Sequence, residues 1–139
     1  MKDGWNPSEV PILALAFMGD AVWHVYVRNH VLKSGIRRPH LLHKAAIGYA
    51  KAGAQAKAIL TMMDELTEEE QAVVRRGRNA KSSRMAKNAD VAEYRYSTGF
   101  EALIGFLYGA GEAKRLEEVC MRALTLLDDE SGVNYATNK

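Results

Sequence analysis

The chain has a single cysteine, Cys120, among its 139 residues. One cysteine excludes an internal disulfide and any cysteine-rich zinc site, and it suits a reducing compartment. Proline is also scarce: the three present, Pro7, Pro11 and Pro39, all fall before residue 40. Runs of β-branched residues are few, which argues against a sheet. No apolar stretch reaches membrane-spanning length before a charged or polar residue interrupts it, and "KDGWNPSEVP" after Met1 has no apolar centre of the kind a signal peptide needs. The expectation is a cytoplasmic protein with no membrane partner. A strong overall field is missing too, since 19 basic residues stand against 17 acidic ones for a net charge of +2. A polyanionic partner would therefore have to be met by a local patch.

Long stretches of Ala, Leu, Lys, Glu and Met remain, and they read as an all-α single domain over residues 1–139, with an ordered core from about 8 to 128 and a loose tail from 129 to 139. The first helix is expected from about Pro11 to Leu32, starting near Asn6 or Ser8 and stopping at Ser34-Gly35. Being apolar nearly all round, it should be central. A second helical region runs from Pro39 to about Glu65, with Gly48 and Gly53 bending or splitting it. Thr67 with Glu70 forms a capping box for a helix to Arg76, which Gly77 should end as the residue after the C-cap. Asp90 with Glu93 opens another helix to about Tyr108, where "GAG" breaks it. The last helix, about Glu112 to Asp128, has an apolar stripe of Leu116, Val119, Cys120, Ala123, Leu124 and Leu127.

Against that background two acids are out of place. Asp20 stands in "LAFMGDAVWHVYV" and Glu101 in "GFEALIGFLY", each among apolar neighbours. An ionised carboxylate in an apolar element costs several kcal/mol unless it is compensated. Local explanations exist: Asp20 can pair with His24 one turn on or with a distant arginine, and Glu101 can reach back to a late helix start at Thr98. Glycines crowd both acids, with Gly19 beside one and Gly99 and Gly105 flanking the other. Each costs roughly 1 kcal/mol in a helix relative to alanine, which points to close approach by backbone or ligand. Two isolated acids on two core helices can also share one cation. Magnesium suits them, because it prefers carboxylate oxygens and completes its shell with water and phosphate.

A basic run supplies the local patch. Between Gln71 and Ala89 there is no acidic residue, while Arg75, Arg76, Arg78, Lys81, Arg84 and Lys87 gather there with Asn79, Ser82 and Ser83 as hydrogen-bonding companions. The bland alternative is a solvated loop whose first arginines complement a helix dipole. Lys33, Arg37, Arg38, His40, His43 and Lys44 form a weaker second cluster.

The segments "LALAFMGDAVWHVYVRNHVL", "LHKAA", "AQAKAIL", "LTEEEQAVVRRGRNAKS" and "YRYSTGFEALIGFLY", in this order, resemble the ribonuclease III catalytic domain, and within that family the small Mini-III branch that lacks a double-stranded RNA-binding domain. The resemblance implies a ribonuclease III-type helical endonuclease that cuts duplex RNA with magnesium, for which manganese can substitute, and leaves 5′-phosphate ends. It makes Asp20 and Glu101 the metal-binding catalytic residues. It also implies a homodimer, each subunit cutting one strand, and as substrate the precursor of large-subunit (23S) ribosomal RNA. No residue pattern specifies a ribosomal-protein helper. The grip on RNA falls to Arg75, Arg76, Arg78, Asn79, Lys81, Ser82, Arg84 and Lys87, reading duplex shape more than bases. The chain departs from the family where two further acids are expected: Ala16 and Thr98 occupy those places. These departures put a two-metal mechanism in doubt and leave open a catalytically silent module that binds duplex RNA or the ribosome. Thr98 can hydrogen-bond a metal water, or more ordinarily its own backbone. His24 and His43 are candidate general bases, though His24 also reads as a helix-surface or core-edge residue. Trp23, Tyr26 and Phe17 are expected in the core rather than at a subunit interface.

Overall fold

The computed structural model describes residues 4–81 and 90–131, without the side chains of 130 and 131. Among them are six α-helices and no strand: α1 Ile12–Lys33, α2 Pro39–Ala50, α3 Ala52–Met62, α4 Glu68–Asn79, α5 Val91–Gly109 and α6 Ala113–Ser131. None is long and apolar enough to cross a membrane.

Local chemistry sets most boundaries. Gly35 and Gly111 adopt positive φ, 99° and 72°, and close the turns after α1 and α5, a conformation that a Cβ would disfavour. Asn6 caps a short 3-10 turn at Pro7–Glu9, so Pro11, not Asn6 or Ser8, is the N-cap of α1. At the start of α4 the Thr67 hydroxyl accepts from the Glu70 N–H (3.1 Å) and Glu70 Oε1 accepts from the Thr67 N–H (2.9 Å). Arg115 of α6 then donates to both Glu70 oxygens at 2.8 Å, and these bonds hold this nearly buried carboxylate below its ordinary pKa. Asp90 caps α5 by accepting from the Glu93 N–H (3.1 Å), while the Glu93 carboxylate lies against Gly53 in the first turn of α3.

Four expectations are corrected. The division between α2 and α3 falls at Lys51, which is extended (φ −65°, ψ 153°), and at neither glycine; Gly48 lies inside α2 with open space around it. Gly77 does not end α4, which continues to Asn79. Its missing side chain serves packing instead, since a Cβ there would stand 2.7 Å from the Gly99 Cα of α5. The central helix is α5, packed by α1, α3, α4 and α6 and buried almost continuously from Ser97 to Leu107. Helix α1 buries Leu15, Ala16, Gly19, Trp23, Val27 and Val31 but leaves Val25 67% exposed and Phe17, contrary to its expected place in the core, 80% exposed. Apolar residues all round a helix thus did not mean burial all round.

Trp23 is a core residue as expected. Its ring meets Phe100 edge-on at 4.9 Å, and its indole N–H donates to the Tyr49 carbonyl (3.1 Å), joining α1, α2 and α5. The α6 stripe is wholly buried, and burial pushes the Cys120 thiol up to about 12, as befits an unreactive core group.

The crossing of α1 and α5 is the tightest feature. A Cβ on Gly19 would fall 1.7 Å from the Glu101 carbonyl oxygen, and one on Gly105 would fall 1.9 Å from that of Leu15. Backbone therefore rests on backbone, as the clustered glycines had indicated. Alanine at either position should cost about 2–3 kcal/mol net in urea unfolding, the upper range for overpacking. Gly48→Ala, with nothing within 4 Å, should instead gain up to about 1 kcal/mol from helix propensity. Equal effects at the three positions would contradict this crossing.

Candidate active site

The α1–α5 contact determines what sits opposite Asp20. Because Gly19 lies on the backbone of Glu101, the side chains of Asp20 and Glu101 emerge beside the same crossing. Their carboxyl groups are close enough to influence each other. Asp20 is the open member, with its side chain 56% exposed, and Glu101 is the recessed one. Burial is the larger cause and the neighbouring Asp20 the next in pushing the Glu101 carboxyl up to about 9. Two like charges so placed, one of them dehydrated, do not both ionise at neutral pH unless a cation joins them.

The local explanations weighed from sequence are partly realised. His24 Nε2 lies 3.5 Å from Asp20 Oδ1 across one helical turn, an arrangement that orients the acid without shielding it from solvent. Glu101 is not part of a late capping box, since α5 begins at Val91, ten residues earlier. The Thr98 hydroxyl donates to the Tyr94 carbonyl (3.0 Å) and so bonds its own backbone, and Ala16 is buried. Among the described residues no group of three or more His, Cys, Asp and Glu side chains is arranged to hold a metal. The donor set is therefore two carboxylates. Such a pair fits one hard divalent cation whose other positions are filled by water and phosphate oxygens, as magnesium prefers. His43 lines a separate hollow of about 350 Å³ between α1 and α2, with Arg28 and Leu42.

One residue of the site had escaped sequence reasoning. Gln55 of α3 is 1% exposed, and its amide N–H donates to Glu101 Oε2 (3.3 Å). Its carbonyl accepts from the Ser97 hydroxyl (2.5 Å). The available signal was a lone amide on a helix stripe shared with Ile59 and Met62, the same kind of anomaly that drew attention to Asp20.

Basic side chains leave the end of α4 next to α5. Val73, Val74 and Gly77 form the buried side of this turn, while Arg75, Arg76, Asn79 and Lys81 are exposed. Arg78 is half-buried, its guanidinium 5.7 Å from the centre of the Tyr96 ring and its Nε–H donating to Asn79 Oδ1 (3.1 Å). The Gly77–Gly99 contact brings this turn against the same helix that carries Glu101. Ser82, Arg84 and Lys87 lie outside the described residues.

Along most of its length the chain is similar to known proteins. A family model described as the ribonuclease III domain matches residues 13–112. A Mini-ribonuclease 3 from Brevibacillus brevis is 48% identical over 126 residues, covering 91% of this chain and 94% of that protein. Another from Symbiobacterium thermophilum is 50% identical over 123 residues, covering 88% and 95%. The crystal structure of a Fusobacterium nucleatum protein superposes with a TM-score of 0.75 at 26% identity, covering 84% of this chain and 93% of that one.

The raised Glu101 pKa gives a stability signature in the absence of divalent ions. A folded-state value near 9 against 4.5 unfolded stabilises the fold fully below about pH 4.5, and that contribution is lost as pH climbs to about 9. Calorimetry in EDTA should show the melting temperature of Glu101→Gln falling less than that of the parent across this window, and lying several degrees higher at pH 8. Parallel curves would contradict the recessed, crowded carboxyl.

Proposed function

The chain belongs to the ribonuclease III family, within its Mini-ribonuclease 3 branch, and from that premise we propose that this endoribonuclease cuts double-stranded RNA with magnesium held by Asp20 and Glu101. The observation that carries the proposal is the meeting of these two carboxyl groups at the glycine-lined crossing, where the ionised pair calls for a cation. Family membership makes the chain an enzyme, and the silent-module alternative is set aside. With Ala16 and Thr98 contributing no acid, the pair suits one magnesium; manganese, with similar ligand preferences, can replace it.

Within this reading each side chain has a distinct task. Glu101 is fixed by α5 and by the Gln55 amide, so its carboxylate is positioned before substrate arrives. Asp20, open to solvent, forms the side from which a phosphodiester approaches, with His24 keeping its carboxylate oriented. When bound, magnesium supplies charge neutralisation at the phosphate, a more acidic water for in-line attack, and stabilisation of the leaving 3′ oxygen. Arg75, Arg76, Arg78, Asn79 and Lys81 contact backbone phosphates, with Ser82, Arg84 and Lys87 extending the same basic run. Stacking on Tyr96 restrains Arg78 beforehand and lowers the entropy lost on contact.

The finer expectations follow from the same reading. A homodimer places two such sites across a duplex, and the exposed Phe17 and Val25 on α1 provide apolar surface for an isologous interface. In this reading the substrate is the precursor of large-subunit (23S) ribosomal RNA, met in the cytoplasm, as the sequence resemblance implies.

Incubation with duplex RNA and magnesium should yield 5′-phosphorylated fragments. Asp20→Asn and Glu101→Gln should each reduce kcat at least about a thousandfold, the loss expected when charge stabilisation of the transition state is removed, and leave duplex affinity within about threefold. Normal cleavage by either variant would refute the site. Replacing Arg76, Arg78 and Lys81 by alanine should weaken binding, and should flatten the slope of log K against log salt by about 0.9 per lost phosphate contact. An unchanged slope would place the RNA on another surface.

A further inference from the structure

We propose that Gln55, locked by Ser97, is a positioning residue that fixes the Glu101 carboxylate in its metal-binding orientation. The inference deepens the functional reading above and rests on it. Gln55 lies on the face of α3 that also buries Ile59 and Met62, where leucine would bury more apolar area without needing any partner. A polar group placed there must be satisfied, and both ends of this amide are: the Ser97 hydroxyl donates to Oε1 at 2.5 Å, and Nε2 donates to Glu101 Oε2 at 3.3 Å.

The order of these bonds matters. A serine hydroxyl can donate or accept, so alone it would tolerate either orientation of the amide. The carboxylate accepts only, once ionised, and requires the Nε2 end. With Nε2 assigned to Glu101, Ser97 becomes the donor to Oε1 and holds the amide against rotation. Ser97 and Glu101 are one turn apart on α5, and the Gln55 side chain from α3 closes the gap between them. The result is a buried chain, Ser97 to Gln55 to Glu101, that occupies one oxygen of the carboxylate and favours its charged form. Glu101 is thereby kept from turning into a rotamer that bonds Asp20 alone.

This role predicts losses in metal binding and turnover that are separate from folding and from RNA affinity. Four proteins are compared: the full chain and its Asp20→Asn, Gln55→Leu and Ser97→Ala variants. Manganese binding is followed by the electron paramagnetic resonance signal of the free ion, duplex affinity is measured in EDTA, and kcat and KM are measured with magnesium. Gln55→Leu should lose about 10- to 100-fold in manganese affinity, as is typical when a partner of a metal ligand is removed, with kcat lowered and duplex affinity within twofold. Ser97→Ala should show a smaller loss on the same two readouts. Gln55→Leu with parental manganese affinity and kcat would overturn the proposal, as would losses that merely parallel a fall in melting temperature and RNA affinity. Should Gln55→Leu fail to fold, Ser97→Ala decides, and unchanged manganese affinity there overturns the proposal. Asp20→Asn separates the two levels: its inactivity alongside a normal Gln55→Leu defeats positioning alone, whereas normal manganese binding and cleavage by Asp20→Asn defeats the metal-site reading beneath it.

Discussion

Backbone contact between α1 and α5 is the constraint on which this molecule is built. Gly19 and Gly105 let the two helices approach until carbonyl oxygens occupy the space of absent Cβ atoms. That approach is unfavourable for helix propensity, at roughly 1 kcal/mol per glycine, and it is offset by the core that closes around it: Trp23 on Phe100, with Leu15, Val27, Leu103 and Ile104 fully buried nearby. Its chemical consequence is the pairing of Asp20 with Glu101. With bulkier residues at the crossing the helices would stand further apart, and each acid would be solvated or neutralised on its own.

A second close crossing links the charge pattern to that pair. The chain is nearly neutral, yet three arginines, Arg75, Arg76 and Arg78, gather at the end of α4. The Gly77–Gly99 contact presses this turn against α5, so the helix that carries the recessed acid also seats the basic surface. Basic side chains of α4 and the acidic pair of α1 and α5 are thus both placed by packing against α5.

The acid pair is not supported by apolar packing alone. Gln55, itself held by the Ser97 hydroxyl, donates a hydrogen bond to Glu101 from within the core, while His24 attends Asp20 at the surface. One carboxyl is therefore rigid and dehydrated, the other accessible. Both departures from the family pattern leave the site simpler without opening it: Ala16 is buried, and the Thr98 hydroxyl is occupied by its own helix.

Much of this was legible in the residues because it depends on neighbours within one helical turn. The Thr67–Glu70 box, the Asp90 cap, Gly35 as a terminator and the buried stripe of α6 all arise from contacts at short sequence separation. Asp20 and Glu101 stood out because a carboxylate among apolar residues is anomalous wherever the helix lies. Tertiary structure decided the rest. Gly77 has the composition of a helix terminator but acts as a packing contact, because Gly99 across the crossing demands the space. Phe17 and Trp23 are alike in hydrophobicity and belong to the same helix, yet one is exposed and the other buried, according to which side of α1 meets α5. Gln55 joined the site only when α3 was brought against Ser97 and Glu101, more than forty positions along the chain. Sequence by itself determined which segments coil and which side chains are costly to bury; only the packing of helices determined which partner offsets each cost, since that depends on distances between residues that no local pattern encodes.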